Sequence, residues 1–353
     1  MGLFSKTIRT LGPWGGYQLA RQICRNQPRI LMYHRFSDPP VKGWASPHFF
    51  EQQVRHIKDN YNPFSLVGLM QYKREHGRMP SHAVVITVDD GYRDFYQYAY
   101  PILKKYQVPS TLFVTTGFIE RKLWLWPDKI TWLLSQVDYI QEAVTIDALR
   151  SEAGPVNAET RQVYWQQWND HALSLPDDEK HWFIDELARQ LGKAIPEAIP
   201  PEFEPLSWDE LAEMQQNGVE IGGHTVTHPS LGRVSQSQAK VEIVGCSNAL
   251  NENLGRRSRT FCYPNGQPSD FQYFLPALVE DSGFLGAVTA FPDANGTKDP
   301  FLMRRHVSGD DMFQFFKATS GVELLGHRLR RDIRLRRDFF LGTTDIASPG
   351  VNA

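Results

Sequence analysis

The chain has 353 residues, 41% apolar and 22% charged, with a formal net charge of −2. That length suits one large α/β domain with additions, or two ordinary domains, and suffices to bury a substantial core. The near-neutral balance carries no nucleic-acid signature, and three widely spaced cysteines, Cys24, Cys246 and Cys262, argue against a disulfide framework and favour a reducing compartment.

Residues 1–28 read as short amphipathic helices interrupted at Gly12-Pro13 and Gly15-Gly16. They contain no continuous apolar run of the kind an export signal needs, and nothing in the chain approaches a membrane-spanning length. "RILMYHRF" (29–36) is a first buried strand. Ser46 as N-cap and Pro47 at the first helical position open a helix over 46–61, and 65–77 is a second helix ending at Gly77. "HAVVITVDDG" (82–91) is the next strand, 92–107 is mostly helix, and "STLFVTT" (110–116) is a third strand. Continuous apolar strands alternating with helices imply parallel pairing with both sheet faces covered. An open doubly wound sheet and a barrel both satisfy that pattern.

The rhythm breaks over 118–205, which reads as a helical insertion with helices near 160–173 and 178–191 and a proline-rich exit. It resumes with a helix over 207–218, where Ser207 and Glu210 form a capping box. Strand-and-loop units then recur at "VEIGGHTVTHPSL", "SRTFCYPNG", "LGAVTA" and "FLMRRHVS". The tail 324–342 interleaves six arginines with Leu, Ile and Phe.

Four unusual stretches each follow a predicted strand: Tyr33-His34, Asp89-Asp90-Gly91, His224 to His228, and Tyr263-Pro264-Asn265-Gly266. In parallel barrels the C-terminal strand ends form the active-site face, so these groups would converge on one pocket. Two adjacent carboxylates at the end of a buried strand repel each other unless a cation offsets them. Two histidines with three residues between them, plus a carboxylate, make a site for a divalent ion, Zn2+ the first choice, with a position left for water. A bound cation would let Asp89 and Asp90 both stay ionised.

"TVDDG", "HTVTHPSL", "FCYPNG" and "FLMRRHV" resemble, in order, the motifs of the polysaccharide deacetylases, carbohydrate esterase family 4, over about 29–117 and 206–318. The resemblance implies a distorted (β/α) barrel, usually seven-stranded, and metal-dependent removal of an acyl group from a sugar. Carried over by position, it makes Asp89 the general base, Asp90, His224 and His228 the ligands of one divalent metal ion, and the Tyr263 backbone N–H an oxyanion donor. His34, Tyr33, Pro264 and Asn265 would line the substrate. Two departures stand out. Cys262 occupies the place of the family's base-pairing arginine, and the aspartate-tryptophan motif is not evident. Arg304 is the expected substitute, because "LMRRHV" resembles the Leu-Pro-Arg-x-x-Val strand of a subgroup of the family; on a strand it shares a face with His306 while Arg305 points away. His306 is then the expected general acid.

These readings make the chain a barrel over 29–320, with a basic tail from 321 to 353. It would act as a metal-dependent N-deacetylase, in the cytoplasm or peripherally at the inner membrane surface. Its substrate would be an N-acetylated, nucleotide- or lipid-linked saccharide or oligosaccharide destined for a surface polysaccharide. Hydrolysis of another linear amide or formamide, and a silent glycan-binding barrel, are the alternatives.

Overall fold

The computed structural model describes residues 15–255, 258–309 and 311–340, without the side chains of 332–340. The sequence expectations for 1–14 and 341–353 lie outside the described residues. The strands are β1 (Arg29–Tyr33), β2 (Asn62–Phe64), β3 (Ala83–Val88), β4 (Ser110–Val114), β5 (Tyr139–Ile140), β6 (Val144–Ile146), β7 (Leu149–Ser151), β8 (Gly154–Pro155), β9 (Val219–Gly223), β10 (Thr260–Cys262), β11 (Gly286–Val288) and β12 (His306–Val307).

The main sheet runs β11-β10-β9-β4-β3-β1-β12, and every pairing in it is parallel. β2 and β4 share one edge of β3: β2 covers Ala83–Val85 and β4 covers Ile86–Val88. β3 is buried at all six positions, as a strand covered on both faces must be. The two sheet ends meet through one stretch of chain. Met303 bridges to Val288 of β11, and His306 and Val307 pair with Leu31 and Met32 of β1. The architecture is therefore the expected distorted (β/α) barrel, with seven strands along its path.

Helices over Pro47–Asn60, Leu66–His76, Tyr100–Tyr106, Trp208–Gln216, Gln236–Leu254 and Met312–Ser320 wrap the sheet. Ser46, Ser65, Ser207 and Ser235 each cap a helix by accepting from a backbone N–H, and the Ser207/Glu210 box forms as the sequence reads.

The insertion differs from its all-helical expectation. Besides helices over Trp126–Ser135, Ala158–Ser174 and Asp177–Gln190 it carries two short antiparallel pairs, β5 with β8 and β6 with β7. β6 and β7 are joined by a two-residue turn in which Asp147 has φ +49°. Strands of two or three residues are too short to show alternation in the sequence. The insertion has its own core around Trp168, Phe183, Ile130 and Leu187. A smaller cluster of Tyr92, Phe118, Trp124, Leu125 and Phe203 packs where it meets the barrel.

One buried polar contact reinforces that junction: the Tyr92 hydroxyl donates to Asp128 Oδ2 at 2.7 Å. Burial pushes the Asp128 carboxyl up to about 7, against the opposing pull of Arg35 and the Tyr92 hydroxyl. The unfolded chain releases this proton near 3.8, while the folded protein holds it to about 7, so stability falls as pH rises through that window. The full cost, on the order of 4 kcal/mol, is present above it. Asp128→Asn keeps an oxygen for Tyr92. It should therefore raise the thermal midpoint at pH 8 and give no gain at pH 4. An equal gain at both pH values would show that the folded carboxyl is ionised.

Candidate metal centre

β3 ends at Val88, and the Asp89 N–H extends the ladder by donating to Tyr33 O at 3.1 Å. The chain then turns sharply. Asp90 has φ +78° and Gly91 φ +97°. A Cβ on Gly91 would stand 2.8 Å from Ile119 Cδ1, so only glycine fits there. The turn leaves both aspartates buried, at 2% and 7% exposure.

The loop after β9 supplies the histidines. The His224 N–H continues the sheet by donating to Val114 O at 3.0 Å. Thr225 and His228 adopt φ +67° and +62°, uncommon for side chains of this kind. Local bonds hold them. The Thr225 hydroxyl accepts from the His228 N–H at 3.0 Å. Glu242, on the Gln236–Leu254 helix, accepts from the Val226 and Thr227 N–H groups at 2.8 and 2.9 Å and from the Thr227 hydroxyl at 2.8 Å.

His224 Nε2 and His228 Nε2 each lie 3.4 Å from the same oxygen, Asp90 Oδ1. His224 Nδ1 is 2.8 Å from the Cys262 carbonyl, which only accepts, so that nitrogen carries a proton and Nε2 is the one turned to Asp90. Ligand atoms bonded to Zn2+ at about 2.0–2.1 Å with tetrahedral angles stand roughly 3.4 Å apart. The spacing and the donor types therefore fit a divalent cation held by Asp90, His224 and His228. Burial drives the Asp90 carboxyl upward, but the two imidazoles outweigh it and hold it well below the usual carboxylate range.

Asp89 is held differently. Arg305, 1% exposed, grips it with two bonds, Nη1 to Oδ1 and Nη2 to Oδ2, both 2.7 Å. The same guanidinium donates to Thr289 O at 2.7 Å, the Thr87 hydroxyl at 3.0 Å and Cys262 Sγ at 3.1 Å. All five of its donors are used. Burial works to raise the Asp89 carboxyl, and the Arg305 charge overcomes it and holds the pKa below its ordinary value. His34 Nε2 lies 3.6 Å from Asp89 Oδ2, on a side chain that is 47% exposed.

Four expectations are corrected. Arg304 does not reach Asp89: its Nε lies 3.0 Å from Asp293 Oδ2, and its guanidinium covers the Phe291 ring. His306 faces outward, with Nδ1 2.6 Å from Glu323 Oε2 on the helix Val322–Phe340. Both reversals share one cause. Arg305 is the residue of this stretch that turns in to Asp89, so Arg304 and His306 on either side of it turn the other way: the alternation holds, with the opposite face inward. The Tyr263 N–H is taken by Val288 O at 3.3 Å, because the β10–β11 ladder runs one residue further than the strand. Tyr33 lies in the core, its hydroxyl donating to Gln53 Oε1 at 2.5 Å and accepting from Ser308 at 2.8 Å. Asp89, Asp90, His224, His228 and His34 do come together. Pro264 and Asn265 form the adjoining turn after β10, where Asn265 has φ +57° and a buried amide nitrogen without a hydrogen-bond partner among the described residues. Arg305 and Glu242 were not anticipated. Arg305 sits beside the arginine that was, and no sequence spacing marks Glu242.

Arg305→Ala leaves Asp89 buried and unpaired, so it should lower stability by about 3–5 kcal/mol in urea denaturation. Arg304→Ala should cost less than about 1 kcal/mol. Equal losses would remove the special place of Arg305. Glu242→Ala frees the Val226 and Thr227 N–H groups, and should weaken Zn2+ binding about 10–100-fold in calorimetry with the circular dichroism unchanged.

Comparison with known proteins agrees with this geometry. Residues 76–272, more than half of the chain, match the family described as polysaccharide deacetylase. A Staphylococcus aureus poly-beta-1,6-N-acetyl-D-glucosamine N-deacetylase is 34% identical over 90 residues, covering 25% of this chain and 31% of that protein. The match thus spans under a third of that relative's length. The Streptococcus pyogenes deacetylase PplD in complex with acetate superposes with a TM-score of 0.53 at 20% identity, over 82% of this chain and 95% of that one. IcaB from Ammonifex degensii gives a TM-score of 0.52 at 18% identity, over 84% and 97%. These two show the fold. With the family match over the stretch that carries Asp89, Asp90, His224 and His228, the chain belongs to the polysaccharide deacetylase family.

Proposed function

We propose that this protein hydrolyses the acetamide of an N-acetylated sugar in a surface polysaccharide or its precursor. The observation that carries the proposal is an ionised, buried Asp89 standing beside a three-residue cluster that fits a divalent ion. An ion held by Asp90, His224 and His228 supplies Lewis-acid polarisation of the amide carbonyl and makes water more acidic. Asp89 accepts the proton of the attacking water, and its grip by Arg305 keeps it aimed and unprotonated beforehand. An amine leaves poorly without a proton. With His306 facing Glu323, His34 is the imidazole at the mouth of the site, and it donates to the leaving nitrogen.

The test combines metal analysis with acetate release from N-acetylglucosamine oligomers. Asp89→Asn should keep one equivalent of metal and lose turnover by several orders of magnitude. His224→Ala should lose both. His34→Ala should lower kcat about 10²–10⁴-fold with metal retained. A His34→Ala enzyme with unchanged kcat would place the acid elsewhere.

The finer reading, a lipid-linked saccharide met at the inner membrane surface, draws support from one face. No helix among the described residues is long and apolar enough to cross a membrane. Leu19 and Ile23 are 64% and 63% exposed on the helix Tyr17–Ile23, and Leu329 is 56% exposed on the helix packed against it. Arg25 and Arg330 are exposed on the same two segments. Apolar side chains among cations suit an anionic lipid surface. The full chain should co-sediment with anionic vesicles in low salt, and Leu19→Glu with Ile23→Glu should abolish that. Vesicle binding unchanged by the pair of substitutions would sink this reading.

A further inference from the structure

The end of the barrel away from the metal cluster carries a cavity of its own. The main strands are parallel, so Asp89 and His224 stand at their C-terminal ends and the N-terminal ends form the opposite floor. The helix Leu66–His76 lies across that floor. Its Leu66 N–H donates to the Thr111 hydroxyl and its Val67 N–H to Glu220 Oε2, both at 2.8 Å, and each acceptor is the second residue of its strand. Between this helix and the start of β11 lies a cavity of about 370 Å³. Half-buried Met70, Met79 and Leu285 form its walls, and Met303, 1% exposed, closes its inner end.

The rim of this cavity is cationic. Lys73 and Arg74 stand at it, the first half-buried and the second exposed. Elsewhere on the surface Arg93, Lys105, Arg121 and Arg189 each meet a carboxylate. Lys73 and Arg74 have no ion-pair partner among the described residues, and no Asp or Glu lines the cavity. Apolar walls with a few polar groups at the mouth, and a volume in this range, are the make-up of a small-molecule site. Methionine walls adapt to guests of irregular shape. Neighbouring residues on a helix diverge, so one head group meets Lys73 or Arg74 directly and the other only as a nearby charge. That arrangement suits a singly charged head, and the planar fork of Arg74 matches both oxygens of a carboxylate.

We propose that this cavity binds a fatty carboxylate of medium length, its chain against the methionines and its head on Lys73 and Arg74. The site is separate from the deacetylase chemistry and does not rest on it. It is separate also from the exposed Leu19 and Ile23, neither of which lines it. Removing the chain from water supplies the attraction. The rim then selects an anion over a neutral alcohol of the same length. A ligand held by the folded state alone also raises the thermal midpoint.

The experiment titrates the full chain by calorimetry with decanoate, decanol and decyl phosphate, each below the concentration at which it aggregates. Decanoate should bind saturably, about tenfold more tightly than decanol in low salt, the scale of one charge-assisted hydrogen bond. Added salt should narrow that difference. Lys73→Glu with Arg74→Glu changes only the rim, so the fold is kept; it should abolish the preference and leave decanol binding unchanged. Leu285→Trp narrows the cavity and should weaken both ligands, with circular dichroism confirming that the variant is folded. Leu19→Glu with Ile23→Glu should leave decanoate binding intact, and a loss there would move the chain to the exposed face and overturn the cavity as its site. No saturable binding, decanol binding as tightly as decanoate, or a preference that survives reversal of the rim charges also overturns the proposal. Decyl phosphate binding more tightly than decanoate would overturn the carboxylate as the head group.

Discussion

The active face depends on one ion pair, Arg305 with Asp89. Each ion alone in that interior would carry a desolvation penalty of several kcal/mol. Together they form two parallel bonds, and the remaining guanidinium donors end on Thr87, Thr289 and Cys262. No donor is left over, which is the condition under which a buried charge is tolerated. Cys262 has a part in this. A small side chain at that position leaves room for a guanidinium arriving from the opposite end of the sheet. Arg305 thus supplies, from the opposite end of the sheet, the charge beside Asp89 that the motif resemblance places at position 262.

The two carboxylates at the end of β3 are adjacent in sequence but answer to different partners. Asp89 is ionised by a permanent cation of the protein, whereas Asp90 faces two imidazoles and suits an exchangeable one. The sharp turn at Asp90-Gly91 is what brings both into one site, since two aspartates in extended backbone would point to opposite faces. Strain at Asp90, Thr225 and His228 is held by parallel ladders that run one residue past each strand and by the Glu242 clasp. Rigid elements thus position the cluster, although every ligand stands on a loop.

The parts legible in the sequence were those with a local signature. β3 is a six-residue apolar run, and its pairing on both sides follows from that. The Asp-Asp-Gly turn and the two histidines carry chemistry that few other placements explain. What stayed hidden was set by tertiary context. Arg304 and Arg305 are chemically identical neighbours, and their directions depend on where a strand starts two residues later. His306 is an ordinary strand histidine until Glu323 is seen against it. The tyrosines Tyr33 and Tyr263 mark the rim in sequence, yet their side chains turn into the core to meet Gln53 and the Phe301 carbonyl. The short strands of the insertion have no period to read.

The stretch from Met303 to Val307 both joins the ends of the sheet and delivers Arg305, which contacts a residue 216 positions earlier. Joining the sheet ends and pairing Asp89 are therefore a single event. A nascent chain still short of residue 303 already holds Asp90, His224 and His228, but Asp89 has no counter-ion and the sheet has two open edges. Such long-range closure comes late and slowly in folding. The Arg305–Asp89 pair and the closed sheet consequently arrive together, with the last strand of the barrel.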